Sequence, residues 1–203
     1  MRGAMSRTNH LLSRLFRSLR RSRILMQESG IAAVEFSLIL PILVVLWIGG
    51  VEITSALSVD RRLNNLASSM GDLVARSKQL TYDDVDAIFD LKEAALFPYS
   101  DVGTNMRVTA VKMDGTGSAK VAWSRAEGTY TAYAVDTPMN DIVPETLRTP
   151  NTQIIMSEVY YTYTPAVGYI ITGNLLLEDR MFFVPRLVTK ISLCSSEGVG
   201  CVS

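Results

Sequence analysis

Apolar residues crowd together in one stretch of this chain and fall into short periodic patterns elsewhere. The dense stretch is Gly30 to Gly50, GIAAVEFSLILPILVVLWIGG, where Glu35 is the one charged residue. A membrane-crossing helix needs about 20 mostly apolar residues at ~1.5 Å each. Ile31 to Ile53 meets that length with Glu35 and Glu52 near the two interfaces. A buried core helix can be as apolar, but the arginine-rich tail before this run favours the membrane. Pro41 removes one backbone donor, which membrane helices tolerate better than soluble ones.

Beyond the run, Val59, Leu63, Leu66, Met70 and Leu73 are spaced 4, 3, 4, 3. That seam predicts that the helix continues to about Arg76, ~70 Å from Ile31 at ~1.5 Å per residue. The stripe fits either packing on the following domain or a short coiled coil. Thr81 opens a second helix, with Asp84 completing a capping box in place of the usual Glu or Gln. Val85, Ile88, Phe89 and Leu96 form its buried face, and Pro98 ends it. Asp83, Asp84 and Asp86 suit the positive end of that helix better than a metal.

From Met106 the period changes to two. Met106 to Met113 alternates, Asp114-Gly115 turns, and Lys120 to Ser124 alternates again, which predicts a hairpin. A third strand runs from Gln153 to Thr164, with Glu158 read as an outward-facing residue. Residues 165–178 read as a loop over the sheet or as a surface for a partner. Phe182, Val184 and Leu187 predict a last strand, which Pro185 restricts to an edge or bulge. The fold class is therefore α+β: a long N-terminal transmembrane and amphipathic helix, then a small extracytoplasmic domain with a short helix and an antiparallel sheet.

Charge adds orientation. Lysines and arginines balance acids at 20 each, but Arg2, Arg7, Arg14, Arg17, Arg20, Arg21 and Arg23 all precede the apolar run. Basic residues stay on the cytoplasmic side, so the N-terminus is expected inside and the body outside. Leu11, Leu12, Leu15, Phe16 and Leu19 are spaced for an amphipathic helix on anionic membrane lipid, although a tail without fixed structure has the same composition. The single histidine, His10, lies in this leader. The body thus lacks the residue for Ser-His, Cys-His or His-zinc chemistry. It offers no phosphate-binding glycine loop, and Tyr160, Tyr161 and Tyr163 have too few nearby cations for nucleic acid. No cofactor, metal or small-molecule substrate is expected, and no enzymatic activity. Cys194 and Cys201 are the only cysteines. Outside the membrane a disulfide is their natural state, with free thiols or an intermolecular bridge as the alternatives.

Gly30, four residues, then Glu35-Phe36 and an unbroken apolar helix resemble the processing site of type IV pilin-like proteins. GIAAVEFSLILPILVVLWIGGVEI resembles more closely the TadE-like pseudopilins of the tight-adherence, or Flp-type, pilus system. The resemblance implies cleavage by a prepilin peptidase after Gly30, a new N-terminus at Ile31, and a role in processing and subunit registration for Glu35, with Phe36 part of the same motif. A free amine at Ile31 lies one helical turn from Glu35, so the two charges can neutralise each other. Implied partners are the peptidase, other pilin-like subunits and the inner-membrane pilus assembly platform. The expected organisation is a basic cytoplasmic leader (1–30), a transmembrane helix (31–53), its amphipathic continuation (54–77) and an extracytoplasmic domain (78–203). The implied setting is a single-pass protein of the bacterial inner membrane, with its C-terminal domain in the periplasm or the pilus. The competing expectations are an uncleaved, signal-anchored periplasmic binding protein, and a secreted enzyme released near Leu57.

Overall fold

A computed structural model describes residues 28–165, 173–196 and 199–203. The arginine-rich leader, its amphipathic pattern and His10 lie outside the described residues. Helix α1 spans Glu28–Ala75 and runs through Pro41 without interruption. Contacts divide the chain into two units, Met1–Gly50 and Val51–Ser203. In the first unit, the apolar side chains from Ile31 to Trp47 are exposed along the helix.

In the second unit α1 has one buried stripe: Val59, Leu63, Leu66, Ala67, Met70 and Val74. The stripe expected from the sequence ended on Leu73 instead, which is 44% exposed. A strict heptad holds its seam only on a supercoiled helix. On a helix packed against a domain the 3.6-residue period drifts by ~20° per heptad, which moves Leu73 out and Val74 in.

After α1 come β1 (Gln79–Thr81), α2 (Tyr82–Phe89) and α3 (Leu91–Leu96). The expected capping box is present: the Thr81 hydroxyl accepts from Asp84 N–H, and the Asp84 carboxylate accepts from Thr81 N–H at 2.8 Å. Val85, Phe89 and Leu96 are buried as expected, but the single helix expected there is broken at Asp90 into α2 and α3.

Strands β2 (Asn105–Met113), β3 (Ala119–Glu127), β4 (Gln153–Tyr163) and β5 (Leu175–Phe183) form an antiparallel sheet in the order β3-β2-β4-β5. The expected hairpin and third strand are there. A bulge interrupts the hairpin: Ala110 faces Trp123 while Val111 faces Val121. The extra residue lets Ala122 and Trp123 both join the core on the α1 side, which strict alternation forbids. The Trp123 indole N–H donates to the Ile191 carbonyl at 2.8 Å.

The sheet meets α1 through small contacts as well as apolar ones. Ser157 Oγ donates to the Ala67 carbonyl at 2.6 Å, and Arg186 N–H donates to the Ala75 carbonyl at 2.9 Å. The Phe183 ring occupies the space that a Cβ on Gly71 would need. On the other face, Val111, Val121 and Met156 pack with Met139 and Val143 from the long β3–β4 connection.

The expected last strand is corrected in extent. It begins at Leu175, inside the stretch left open between loop and partner surface, and ends at Phe183. Val184 and Leu187 lie outside it and are exposed. Pro185 cannot donate to a ladder, and the strand it follows is an edge strand as expected. A second ladder was not anticipated: β1 pairs in parallel with β6 (Ser192–Cys194), bringing Thr81 opposite Cys194.

Candidate functional site

The residues of the expected processing site all lie on α1. Gly30 sits in its first turn, two residues after the helix begins at Glu28. Ile31, Glu35 and Phe36 follow on the same helix, and all three side chains are exposed. Ile31 and Glu35 are one turn apart and share a face. Ser37 Oγ donates to the Ala33 carbonyl at 2.7 Å, so this hydroxyl adds no free polar group to the apolar surface. The helix is long and apolar enough to cross a membrane. From Phe36 to Trp47 its exposed surface carries no charge, the character of a span rather than of an amphipathic surface helix.

In the intact chain the Ile31 nitrogen is an uncharged amide. It becomes an ammonium one turn from Glu35 only when the bond after Gly30 is cut. What the residues offer chemically is therefore a conditional ion pair. At the centre of a bilayer a lone carboxylate costs about 2.5–3.5 kcal/mol on insertion scales, and an amine released one turn away would offset part of any such cost.

The domain holds a second concentration of charge, which the sequence reading missed. Glu158, expected to face outward, is 0% exposed. Its carboxylate accepts from Arg107 Nε at 2.7 Å, from Arg180 Nε at 2.9 Å and from the Tyr160 hydroxyl at 2.9 Å. The strand register sets this row: Arg107 on β2, Glu158 on β4 and Arg180 on β5 stand opposite one another. Arg107 also donates to the Thr131 carbonyl at 3.1 Å, the Tyr133 hydroxyl at 2.7 Å and the Tyr160 hydroxyl at 3.3 Å, with its guanidinium 3.8 Å from the Tyr133 ring centre. Tyr130 stacks on Tyr160 with centroids 4.3 Å apart. Burial, followed by the Glu158 carboxylate, pushes the Tyr160 hydroxyl up to about 12.

Both Glu158 oxygens are engaged by neighbours, and through Arg107 the arrangement pins the start of the β3–β4 connection onto the sheet. The signal that could have revealed it is the composition of β4. IIMSEVYY does not alternate between apolar and polar, as expected for a strand covered on both faces, and a charge inside such a strand must be paired.

Cys194 and Cys201 form the disulfide, which closes the short C-terminal loop beside the β1–β6 ladder. Among the described residues no group of three or more His, Cys, Asp or Glu could hold a metal ion. Arg62, Asn65, Ser69, Leu91 and Ala94 line an open groove between α1 and α3, where Arg62 donates to the Ala95 carbonyl at 3.2 Å.

Compared with curated proteins and with solved structures, the chain has no match. Compared with protein families, residues 30–71 match TadE-like protein. The match begins at Gly30 and ends at Gly71, the glycine under the Phe183 ring. It covers the apolar run and the part of α1 that packs on the sheet. Over residues 30–71 the chain is thus similar to the TadE-like family, in agreement with the resemblance read from its residues.

Proposed function

We propose that this chain is a minor, TadE-like pilin subunit, anchored by α1 in the bacterial inner membrane and processed by a prepilin peptidase after Gly30. The observation that carries this reading is the TadE-like match beginning at Gly30, on a helix whose apolar surface is exposed and carries one carboxylate, Glu35. A pilin-like role is structural and requires no catalytic site. The body is an α+β domain in which the buried Glu158 is paired with Arg107 and Arg180.

In this reading the leader stays in the cytoplasm and the domain lies in the periplasm or the pilus. Cleavage creates the Ile31 amine, which neutralises Glu35 within the subunit or in a neighbour. Other pilin-like subunits and the assembly platform are the partners. Glu35→Ala tests the role assigned to Glu35: the variant inserts in the membrane as the parent does but assembles poorly. Normal piliation in cells carrying only Glu35→Ala would remove that role.

A further inference from the structure

We infer that the folded domain rests on the bilayer through an apolar collar at the end where α1 enters it. The inference builds on the membrane-anchored reading of α1. The collar comprises Val51, Ile53 and Leu57 on α1, Leu175 and Leu176 at the start of β5, and Val102 on the loop leading into β2. All six are exposed, Leu176 at 56% and Val102 at 81%.

Three observations bring these elements to one end of the domain. The Tyr163 hydroxyl is hydrogen-bonded to Ser55, and the Tyr163 ring is buried. Tyr163 and Thr162 stand opposite Leu175 and Leu176 in the β4–β5 register. Asp101, next to Val102, acts electrostatically on Tyr161, two residues from Tyr163 on the same strand. Contacts at the opposite end are just as well defined. Ala75 meets the Arg186 amide just past β5 there, while Ala67 meets Ser157 midway along β4.

The occupant follows from continuity. Val51 directly succeeds the apolar run, so the hydrophobic surface of the span passes into the collar without a break in sequence. Glu52 does not interrupt it, because its side chain is buried in the domain at 3% exposure. The first exposed charges along α1 after the run are Asp60 and Arg61, beyond Leu57. Charged and apolar positions therefore change over at Leu57, not at Glu52 as the sequence suggests. An exposed apolar patch of this kind, adjoining a membrane helix, suits the headgroup and upper acyl region.

The test uses the full chain in vesicles of phosphatidylethanolamine and phosphatidylglycerol, with a nitroxide on single cysteines replacing Leu46, Leu57, Leu176 or Val184. The native cysteines are bonded to each other and do not react. Collision with oxygen reports lipid, and collision with a water-soluble nickel chelate reports water. Leu46 checks the span, and Val184 is the exposed control at the far end of β5. The expected result is oxygen-dominated collision at Leu46, Leu57 and Leu176, and nickel-dominated collision at Val184. A nickel-dominated label at Leu176, with Leu46 in lipid, overturns the collar and leaves the anchor standing. A nickel-dominated label at Leu46 overturns both.

Discussion

Arg107 Nε lies 2.7 Å from Glu158 Oε2, and both residues are buried. Removing one partner of a buried pair strands the other charge, at a cost of about 3–5 kcal/mol. Glu158→Leu should therefore destabilise the domain by that order, read from chemical unfolding of the full chain in detergent. The double variant Arg107→Met with Glu158→Leu should lose much less than Glu158→Leu alone. A double variant as unstable as the single one would show that the row does more than satisfy its own charges.

Tyr160 gives the same cluster a signature in alkali. Its hydroxyl is pushed up to about 12, first by burial and then by Glu158. Below the ordinary tyrosine value of 10.0 both folded and unfolded chains keep the proton, and the stabilisation is fully present. Above it the unfolded chain releases the proton while the folded chain holds it until about pH 12, so stability falls across that window. Tyr161 and Tyr163 are also raised, mainly by burial, and add to the fall. The informative measurement is the difference between the parent and Tyr160→Phe, whose unfolding midpoint should drop less steeply over the same range.

Gly71 is a helical glycine where propensity and packing conflict. Alanine in a helix interior is favoured by about 1 kcal/mol over glycine. A Cβ at this position would enter the Phe183 ring, and overpacking costs about 1–3 kcal/mol. Gly71→Ala should thus lower the unfolding midpoint, and Gly71→Ala with Phe183→Leu should recover part of the loss. A stabilised Gly71→Ala protein would mean that Phe183 moves aside at little cost.

The β1–β6 ladder puts Thr81, the N-cap of α2, opposite Cys194 of the disulfide. Replacing both cysteines by serine should cost about 2.5 kcal/mol in the loop-entropy picture. Thr81→Ala should cost about 1 kcal/mol as a lost cap. Neighbouring sites couple, so the combined variant should depart from the sum. The cap also weakens in acid. Its hydrogen bonds with Thr81 hold the Asp84 carboxyl below the ordinary 3.8, so its contribution is present above that value and lost as pH falls further. Unfolding midpoints at neutral and acid pH check both statements.

The parts of this fold legible in the sequence are those specified locally. The capping box needs only Thr81 and Asp84, and the β2–β3 hairpin announces itself through alternation around Asp114-Gly115. The apolar run is recognisable by length and composition alone. What escaped depends on residues distant in sequence. Glu158 looked like an outward residue because its burial comes from the β3–β4 connection, which β4 does not encode. The β1–β6 pair joins Gln79 to Ser192, and its three-residue strands carry no period to detect. The start of β5 at Leu175 was hidden because LLL does not alternate, although its register with β4 is unbroken.

The proposed pilin role rests on cleavage after Gly30, which would make Ile31 the first residue of the mature protein. The most direct test is the N-terminal residue and intact mass of the membrane-extracted protein, made with and without a co-expressed prepilin peptidase. The expected result is a new terminus at Ile31 that depends on the peptidase, with Glu35 four residues beyond it. A Met1 terminus in both samples would contradict it, and would favour an uncleaved, signal-anchored protein instead.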